Sequence, residues 1–411
     1  MTDSRKEDDC ITSQIDWKQN LRVTWVGNFL TGASFSLVMP FMSLYVEELG
    51  ARGSDIEFYA GLAVSVTALA STIMSPIWGS LADRYGNKPM MVRASTCMLF
   101  TMGGLAFVPN VFWLLVLRLL TGIFAGYIPN STALMASQVP RHRAGYALGT
   151  LSTGLVAGNL MGPLLGGLLA DRFGMRTVFL IVGGLLSVLT ILTIFLVKED
   201  FTPLEAGQTL PMKAVLSRVK DRKILLGLSV TSMIIQMAAQ SIIPIMALYI
   251  RHLGQGQNLM FVAGLITSAM GISSILSSGF LGKIGDRIGN HRLLLAALFY
   301  SFIMYWLSAY AQTPLQLGLI RFLYGFGTGA LLPSVNSLLT KMAPKEGLAR
   351  IFAYNQTFTY MGSVLGPIFG SSVAAYLGYP WVFYMTAGLV LINLIWSLMI
   401  FRNYVKVKEI V

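Results

Sequence analysis

Two arginines stand alone in otherwise uncharged apolar stretches, where a charged group could do chemistry. Arg118 is the only charged residue between positions 94 and 140, and Arg321 is the only one between positions 293 and 340. A charge inside a bilayer is costly, so it usually marks a path for ions, protons or substrate. The alternative is that each side chain lies close enough to the outer interface to reach water.

The two arginines also occupy equivalent positions of an internal repeat. A shift of 203 residues places Arg118 on Arg321 and the charged turn at 79–88 on a second charged turn at 282–291. Shifts of 203 or 204 align six further pairs: Gly122 with Gly325, Gly126 with Gly329, Pro40 with Pro244, Tyr45 with Tyr249, Gly162-Pro163 with Gly366-Pro367, and Phe179 with Phe383. A repeat in apolar sequence indicates two related membrane bundles, an arrangement typical of transporters with a site between the halves.

The elements that carry these residues are predicted from uncharged stretches. Apolar residues make up 55% of the chain and charged residues 12%, against about 25% charged in soluble proteins. Stretches longer than the roughly 20 residues that a span needs are 23–46, 58–82, 94–117, 119–140, 144–170, 177–197, 224–250, 253–282, 293–320, 322–340 and 351–401. The last is long enough for two spans, with a turn near Gly378. We therefore expect an all-α membrane protein of twelve helices.

The repeat divides these helices into two six-helix bundles related by a pseudo-two-fold axis. The predicted segments are a cytoplasmic N-terminal segment, the N-terminal bundle, a polar linker, the C-terminal bundle and a short tail, at 1–22, 23–197, 198–223, 224–402 and 403–411. No loop is long enough for an additional soluble domain. This argues against an attached enzyme or receptor module.

The net charge of +12 follows the positive-inside pattern of membrane proteins. Lys and Arg concentrate on one side of the predicted membrane, which places both termini in the cytoplasm. The basic excess therefore sets topology and does not indicate a nucleic-acid partner.

Metal and cofactor chemistry is not supported by the sequence. Cys10 and Cys97 are too few and too differently placed for a metal site or a disulfide framework. His142, His252 and His291 all fall in predicted loops. We expect no metal, no cofactor and no catalytic residues.

Glycines recur every fourth residue in the fifth and eleventh predicted spans. Such stripes let helix backbones approach closely, and a proline after the middle glycine of each stripe should bend the helix. The residues expected in this packing are Gly158, Gly162, Pro163, Gly166, Gly362, Gly366, Pro367 and Gly370.

A substrate cavity is expected where amide and aromatic side chains face the middle of the molecule, because unpaired amides facing lipid would be costly. The candidates are Asn28, Phe35, Asn130, Gln138, Gln236, Gln240, Asn336, Asn355, Gln356 and Phe358.

The repeated charged turn resembles the signature of the major facilitator superfamily, Gly-x-x-x-Asp-Arg-x-Gly-x-Lys. The first copy matches it at Gly79, Asp83, Arg84, Gly86 and Lys88, and the second at Gly282, Asp286, Arg287 and Gly289, with His291 in place of the lysine. In that family the acid of this motif helps latch the bundles together on the cytoplasmic side. The resemblance thus implies a conformational role for Asp83 and its neighbours.

Two further motifs resemble those of drug:proton antiporters within this superfamily. These are Gly158-x-x-x-Gly162-Pro163-x-x-Gly166-Gly167 in span five and Arg118-x-x-x-Gly122 in span four. The first is typical of exporters. The second implies a part for Arg118 in proton coupling, with Arg321 as its counterpart.

Five other segments are similar to bacterial multidrug exporters of the MdtG and PmrA type: 15–22, 29–33, 136–140, 147–154 and 312–318. The resemblance implies a monomeric exporter in the bacterial cytoplasmic membrane that moves hydrophobic, amphiphilic or fluoroquinolone-like compounds by alternating access, with protons as the coupling ion.

The acidic residues depart from that family pattern, because every Asp and Glu is predicted in a loop or at the end of a span. Several drug:proton antiporters instead place a carboxylate deep in the first span. Proton coupling would therefore use Asp83, Asp171, Glu47 or Glu48.

The repeat also places Glu47 on Arg251, at the outer ends of spans one and seven. In the facilitator fold these spans line opposite sides of the outer vestibule. The opposite charges therefore predict a gate that pairs when the vestibule closes. The alternative is that they are two independent interfacial charges.

Two other functions remain open. A translocase for a lipid or a lipid-linked sugar on the same fold fits the missing deep carboxylate. A membrane sensor or enzyme without transport is the second, and no cluster of His, Cys or acidic residues supports it.

Overall fold

The computed structural model describes residues 16–201, 222–342 and 348–408, and the regular structure in these ranges is helical. Twelve long helical segments follow one another: α1 Trp17–Glu48, α2 Asp55–Tyr85, α3 Asn87–Phe107, α4 Val111–Gln138, α5 Ala144–Phe173, α6 Met175–Leu196, α7 Lys223–His252, α8 Leu259–Ile288, α9 Asn290–Ser308, α10 Pro314–Met342, α11 Leu348–Leu377 and α12 Tyr379–Lys408. Eleven of them are long and apolar enough to cross a membrane. The remaining helix, α11, has 30 residues. The all-α architecture is as predicted.

Glycines with positive φ make most of the sharp turns between helices. Gly86, Gly174, Gly289 and Gly378 have φ values of 94°, 79°, 96° and 92°, a region that glycine enters at little cost. Gly378 divides the longest apolar stretch, as expected from the sequence. Successive helices therefore run in opposite directions. The side where α1 begins and α12 ends is called the near face here, and the opposite side the far face.

Prolines break the first helix of each bundle at the same place. Met39–Phe41 and Ile243–Ile245 are 3₁₀ turns that contain Pro40 and Pro244, because proline cannot donate the helical hydrogen bond. The fourth helix is also interrupted, between Ile123 and Tyr127, with Gly126 at φ 140°. Its counterpart α10 is continuous, so the repeat does not extend to this feature.

The glycine stripes bring helix backbones together within each bundle. A side chain added at Gly158 would meet the Phe29 carbonyl oxygen of α1, and one added at Gly366 would lie 2.6 Å from the Met237 carbonyl oxygen of α7. Helix α5 thus packs on α1 in the first bundle as α11 packs on α7 in the second. Close backbone approach through small residues is the usual means of helix packing in membranes.

Most of the predicted linker, at 202–221, lies outside the described residues, as do positions 1–15, 343–347 and 409–411. The segment that leads into the linker is described from Val197 to Phe201. Helices α1–α6 form the first bundle and α7–α12 the second, with both bundles contributing to one continuous apolar core.

Candidate functional site

The two bundles meet along two seams, α2 against α11 and α5 against α8. Within the described ranges, every hydrogen bond and ion pair that joins the bundles lies in the half of the helices nearer the far face. The far side of the molecule is therefore closed between the bundles. No such polar contact links the described residues near the other face.

Each seam contains a serine that bonds to a backbone carbonyl of the opposite bundle. The Ser65 hydroxyl of α2 donates to the Val364 carbonyl at 2.6 Å, and the Ser268 hydroxyl of α8 donates to the Leu160 carbonyl at 2.7 Å. The serines are equivalent under the shift of 203, and the carbonyl residues under the shift of 204. The central contacts of the two seams, called the seam cores here, are therefore equivalent under the pseudo-two-fold symmetry.

The helix-bending prolines lie three residues after these carbonyls and touch a glycine across the seam. A proline removes the helical hydrogen bond to the carbonyl four residues before it, which here is that of Asn159 or Ser363. The serine-bonded carbonyls therefore lie next to the freed one in the bent turn. A Cβ added at Gly61 would lie 2.6 Å from the Pro367 oxygen, and one added at Gly264 would lie 2.8 Å from the Pro163 carbonyl carbon. Neither position has room for a side chain while the far side is closed.

Towards the far face, the seams end in different polar contacts. Asp171 of α5 accepts from the backbone N–H groups of Met260 and Phe261 at 3.1 and 2.8 Å, so it caps the first turn of α8. On the other seam, Glu57 Oε1 accepts from the Tyr379 hydroxyl at 2.7 Å. Glu57 is only 9% exposed, and its Oε2 has no partner among the described residues.

Glu47 and Arg251 are in contact between the two seam ends. Arg251 Nη1 lies 2.8 Å from Glu47 Oε2, and Nη2 lies 3.3 Å from Oε1. The pair is partly solvated, with 45% of the arginine side chain and 37% of the glutamate side chain exposed. The neighbouring Glu48 pairs instead with Arg176 of its own bundle, at 3.2 Å.

Two adjoining cavities lie below these contacts: the first is lined by the first bundle and by Tyr360 of the second, and the other lies between the bundles. The first has a volume of about 320 Å³ and is bordered by Phe35, Trp78, Tyr127, Asn130 and Tyr360. The second, of about 450 Å³, extends from Phe35 to Asn159, Gln240, Met270 and Thr328. Phe35 belongs to both. The aromatic walls of the first cavity and the aliphatic, amide and hydroxyl groups of the second suit an apolar ligand held by a small number of polar contacts.

Of the ten predicted cavity residues, Phe35, Asn130 and Gln240 border these two cavities. Several others hold helices together. Asn28 accepts from Ser131 on α4, Gln138 donates to the Lys198 carbonyl and accepts from Asn20, and Gln236 donates to Ser363 on α11. The last four are on α10 and α11: Asn336 and Gln356 are exposed, Asn355 is buried, and Phe358 packs on Tyr354.

The wall of the first cavity depends on an arginine that sequence analysis did not select. The Arg93 guanidinium carbon lies 3.4 Å from the centre of the Trp78 ring, and Arg93 Nη2 donates to the Ala125 carbonyl at the interruption of α4. Trp78 donates to the Ile123 carbonyl at 2.6 Å, and Asn130 to the Gly126 carbonyl. The predicted third span begins after Arg93, because it was defined by the absence of charged residues. In the structure, α3 already begins at Asn87.

Arg118 and Arg321 are buried inside their bundles, with 1% and 4% of their surface exposed. The alternative in which they reach an interfacial water layer does not fit this burial. Nε and Nη2 of both have no hydrogen-bond partner among the described residues. Arg321 is surrounded by Phe383, Tyr324 and Tyr305, with ring centres 5.3, 5.5 and 5.7 Å from its guanidinium carbon.

The family model of the Major Facilitator Superfamily matches residues 24–263 and 228–410. The chain belongs to the major facilitator superfamily. The residues that the structure describes include no group of three or more His, Cys, Asp or Glu that could hold a metal ion. The chain is a multi-pass membrane transporter and not an enzyme.

Relatives within the superfamily match over nearly their whole length. The chain is 58% identical over 398 residues to the multi-drug resistance efflux pump PmrA of Streptococcus pneumoniae, covering 97% of this chain and 100% of the relative. It is 55% identical to the PmrA homolog of Lactococcus lactis, with 97% and 99% covered. It is 48% identical to the multidrug resistance protein MdtG of Klebsiella pneumoniae, with 95% of both covered.

Solved superfamily structures share the fold at low identity. A bacterial homolog of the human lysosomal transporter Spinster superposes with a TM-score of 0.81 at 14% identity, covering 96% of this chain and 98% of the other. The nucleoside transporter NupG superposes with a TM-score of 0.80 at 16% identity, with 93% and 100% covered. These matches agree with the twelve-helix architecture.

The superfamily signature turns lie at the near face. Asp83 and Arg84 are exposed at the end of α2. Glu199, which follows α6, accepts from the backbone N–H groups of Asn87 and Lys88 at 2.9 and 2.6 Å and so caps α3. The sequence alone does not point to Glu199, because its contact depends on how α6 returns beside the turn.

Among the described residues, no glutamate caps the second signature turn as Glu199 caps the first. Asp286 and Arg287 are exposed at the end of α8, as Asp83 and Arg84 are at the end of α2. Asn290 donates its side-chain amide to Ser337 of α10 at 2.8 Å, and the His291 ring packs against Phe401. The two copies of the turn are thus held by different neighbours.

Proposed function

We propose that this transporter exports hydrophobic or amphiphilic compounds, including fluoroquinolone-like molecules, from the cytoplasm by alternating access. The observation that carries this proposal is the identity of 58% over 97% of the chain to a relative named as a multidrug efflux pump. The two central cavities support it, because the first has aromatic walls and the second has largely apolar walls with amide and hydroxyl groups.

The near face is cytoplasmic in this proposal. The basic turns at 84–93 and 141–143 lie at that end of the helices, as the positive-inside pattern requires. The described contacts between the bundles then close the extracellular side and leave the cavities in reach of the cytoplasm. Export requires these contacts to separate while the signature turns come together at the near face.

Asp83, Arg84, Gly86 and Lys88, with Asp286 and Arg287 of the second copy, form the proposed near-face latch. The exposed Asp83 carboxylate would meet the other bundle only when the near side closes. Glu199 already holds the first turn in its capped shape, so little rearrangement within that bundle would be needed.

Protons are the proposed coupling ion. No Asp or Glu of the described residues lies in the middle of a helix, so coupling has to act through carboxylates at the bundle contacts. Asp171 and Glu47 both take part in far-face contacts that must open, and Glu57 joins them as a nearly buried carboxylate. Arg118, buried without a carboxylate partner in the described ranges, is the proposed positive charge of the coupling step.

The test is transport by the purified protein in proteoliposomes with an imposed pH gradient, followed with a lipophilic dye and a fluorescent fluoroquinolone. Gradient-dependent movement of either compound supports export by proton antiport. Arg118→Ala should abolish it, and Arg118→Lys should restore only part if the planar donor is needed. Arg321→Ala is the matched control in the other bundle. Equal transport with and without the gradient would contradict proton coupling.

A lipid or lipid-linked sugar translocase is the second candidate, favoured by the lack of a mid-helix carboxylate among the described residues. The same proteoliposomes discriminate the two. Movement of a fluorescent lipid between leaflets, with no movement of the dye or the fluoroquinolone, would replace the export proposal.

A further inference from the structure

A basic, aromatic groove lies at the near-face end of α1 and α5, apart from the cavities between the bundles. Its volume is about 830 Å³, and its wall includes the cations Lys18, Arg22 and Arg143 and the aromatic residues Trp17, Trp25 and Tyr146. It shares no lining residue with the two central cavities. The proposed transport cycle does not involve this groove.

The described lining of the groove is positively charged. It contains three cations and no Asp or Glu. The three cations are exposed, and none forms an ion pair within the described ranges. The nearby carboxylate of Asp16 accepts from the backbone N–H of Lys18, as a cap on α1. Nothing described neutralises the three charges.

The start of α5 adds further donors for an anion. Arg143 is the residue before the first turn of α5, and no side chain caps the free N–H groups of that turn. Such a helix start favours negative charge. Here it coincides with the three cations: the guanidinium groups of Arg22 and Arg143 can bind phosphate oxygens in a bidentate manner, and the Lys18 ammonium adds a point charge.

The aromatic side of the groove is held in place. Trp25 Nε1 donates to Thr153 Oγ1 at 3.0 Å, and the Trp25 ring stacks on Phe29 with 6.0 Å between ring centres. Tyr146 is 68% exposed. Rings of this kind are typical of the level where acyl chains meet lipid head groups.

The described residues that border the groove belong to α1, the turn before α5 and α5 itself. A ligand can therefore enter from the side of the bundle, without passing between the two bundles. Cations and aromatic rings together at the end of membrane-spanning helices match a phosphate head group with its acyl chains on the apolar wall.

We infer that this groove is a binding site for an anionic phospholipid of the cytoplasmic leaflet, with Lys18, Arg22 and Arg143 on the phosphate and Trp17, Trp25 and Tyr146 beside the acyl chains. The inference rests on the proposed orientation, in which the near face is cytoplasmic. Its test measures binding rather than transport, so its failure would leave the export proposal intact.

The test is native mass spectrometry of the full-length protein in detergent with phosphatidylglycerol or phosphatidylcholine of identical acyl chains. The wild type should retain phosphatidylglycerol in preference. The triple variant Lys18→Gln, Arg22→Gln, Arg143→Gln should bind phosphatidylglycerol at least roughly tenfold more weakly than the wild type does. The matched control changes three exposed cations at the near-face end of the other bundle, Lys283→Gln, Arg292→Gln and Lys341→Gln, and should bind like the wild type.

Size-exclusion chromatography checks that each variant is folded, and the charge-preserving set Lys18→Arg, Arg22→Lys, Arg143→Lys should retain most of the binding. If the triple glutamine variant is not folded, the single variants Arg22→Gln and Arg143→Gln decide. Binding of phosphatidylglycerol unchanged in the groove variants, equal loss in the control, equal binding of phosphatidylcholine, or displacement of the lipid by millimolar inorganic phosphate would each overturn the inference.

Discussion

The α2/α11 and α5/α8 seams have the same core and different ends. In both, a serine donates to a carbonyl near a helix-bending proline, and a glycine lies against that proline. Towards the far face, Asp171 is exposed and accepts two backbone N–H groups, whereas Glu57 is nearly buried and accepts one phenol. The two halves of the repeat have the same serine, glycine and proline contacts, which set how closely the bundles approach. They differ in the carboxylate contacts that hold the far side closed.

This difference indicates separate tasks along one seam. The core is made of backbone and small side chains, so it provides geometry at little electrostatic cost. The ends are made of carboxylates, whose bonds depend on charge and solvation. A partly satisfied buried carboxylate is costly, so the α2/α11 end should be more sensitive to the loss of one partner than the α5/α8 end.

The largest effect is expected from filling the glycine contact of one seam. Gly264→Ala places a methyl group against the Pro163 carbonyl, and overpacking of this kind costs about 1–3 kcal/mol. The closed far side should lose population to the open one. The measurement is the distance between spin labels at Arg52→Cys and Gln257→Cys, exposed in far-face loops of different bundles, with Cys10 and Cys97 replaced by serine.

Gly279→Ala is the control for that change, because it lies on the same helix and a Cβ there would have no neighbour within 4 Å. Gly61→Ala tests the equivalent contact of the other seam and should shift the distance in the same direction. A shift for only one of Gly61 and Gly264 would show that the two cores are not equivalent.

The next-largest effect should distinguish the far-face ends of the two seams. Tyr379→Phe leaves the buried Glu57 carboxylate without its only described donor, which should destabilise the closed far side by about 1–3 kcal/mol. Asp171→Ala removes a helix cap in solvent and should cost about 1 kcal/mol. The same label distance should therefore move further for Tyr379→Phe than for Asp171→Ala.

Glu57→Gln is the control for the first of these variants, since the amide oxygen can still accept from Tyr379 without a buried charge. Combining it with Tyr379→Phe should recover part of the closed population. If Asp171→Ala has the larger effect, the exposed helix cap and not the buried carboxylate dominates closure.

A smaller effect tests the shared core directly. Ser65→Ala and Ser268→Ala each remove one hydrogen bond between the bundles, and such bonds contribute about 0.6 kcal/mol on average in a membrane protein. The two variants should shift the label distance by similar amounts, and the double variant by the sum, because the sites are on separate seams. Unequal single effects would contradict the symmetry of the cores.

The sequence was sufficient for the architecture because the repeat and the uncharged stretches both follow from the bilayer. Twelve helices, the turn at Gly378 and the close approach of the glycine stripes are properties of single spans or of equivalent positions. The criterion of uncharged stretches also explains why Glu57 and Arg93 were not predicted as helical. Both lie within the first seven residues of their helices, but an uncharged stretch by definition excludes them.

Contacts between bundles are harder to predict, since they depend on which helix lies across the seam. Nothing in the spacing pairs Glu57 with Tyr379, 322 residues later, or brings Glu199 to the start of α3. The interruption of α4 has no counterpart in α10, although Gly126 and Gly329 are aligned. Arg93 and Trp78 hold that interruption, so the departure from the repeat depends on a neighbouring helix.

The smallest effect is expected from Glu47 and Arg251, which lie between the ends of the two seams. The repeat brought these residues to equivalent positions and the structure places them in contact at 2.8 Å, but their role as a gate remains a prediction. Both side chains are partly exposed, so the pair should contribute about 1 kcal/mol or less and should weaken with salt.

Charge reversal tests this gate and also whether closure depends on the seams alone. Glu47→Arg and Arg251→Glu should each lengthen the label distance, because like charges then meet across the closed far side, and the double reversal should restore it. Glu48→Arg is the matched control, since Glu48 pairs with Arg176 inside one bundle and its reversal should leave the distance unchanged. No change in any of the three gate variants would mean that the seams close the far side without this pair. A change in the control as large as in Glu47→Arg would assign the effect to the overall charge of the far face rather than to the contact between bundles.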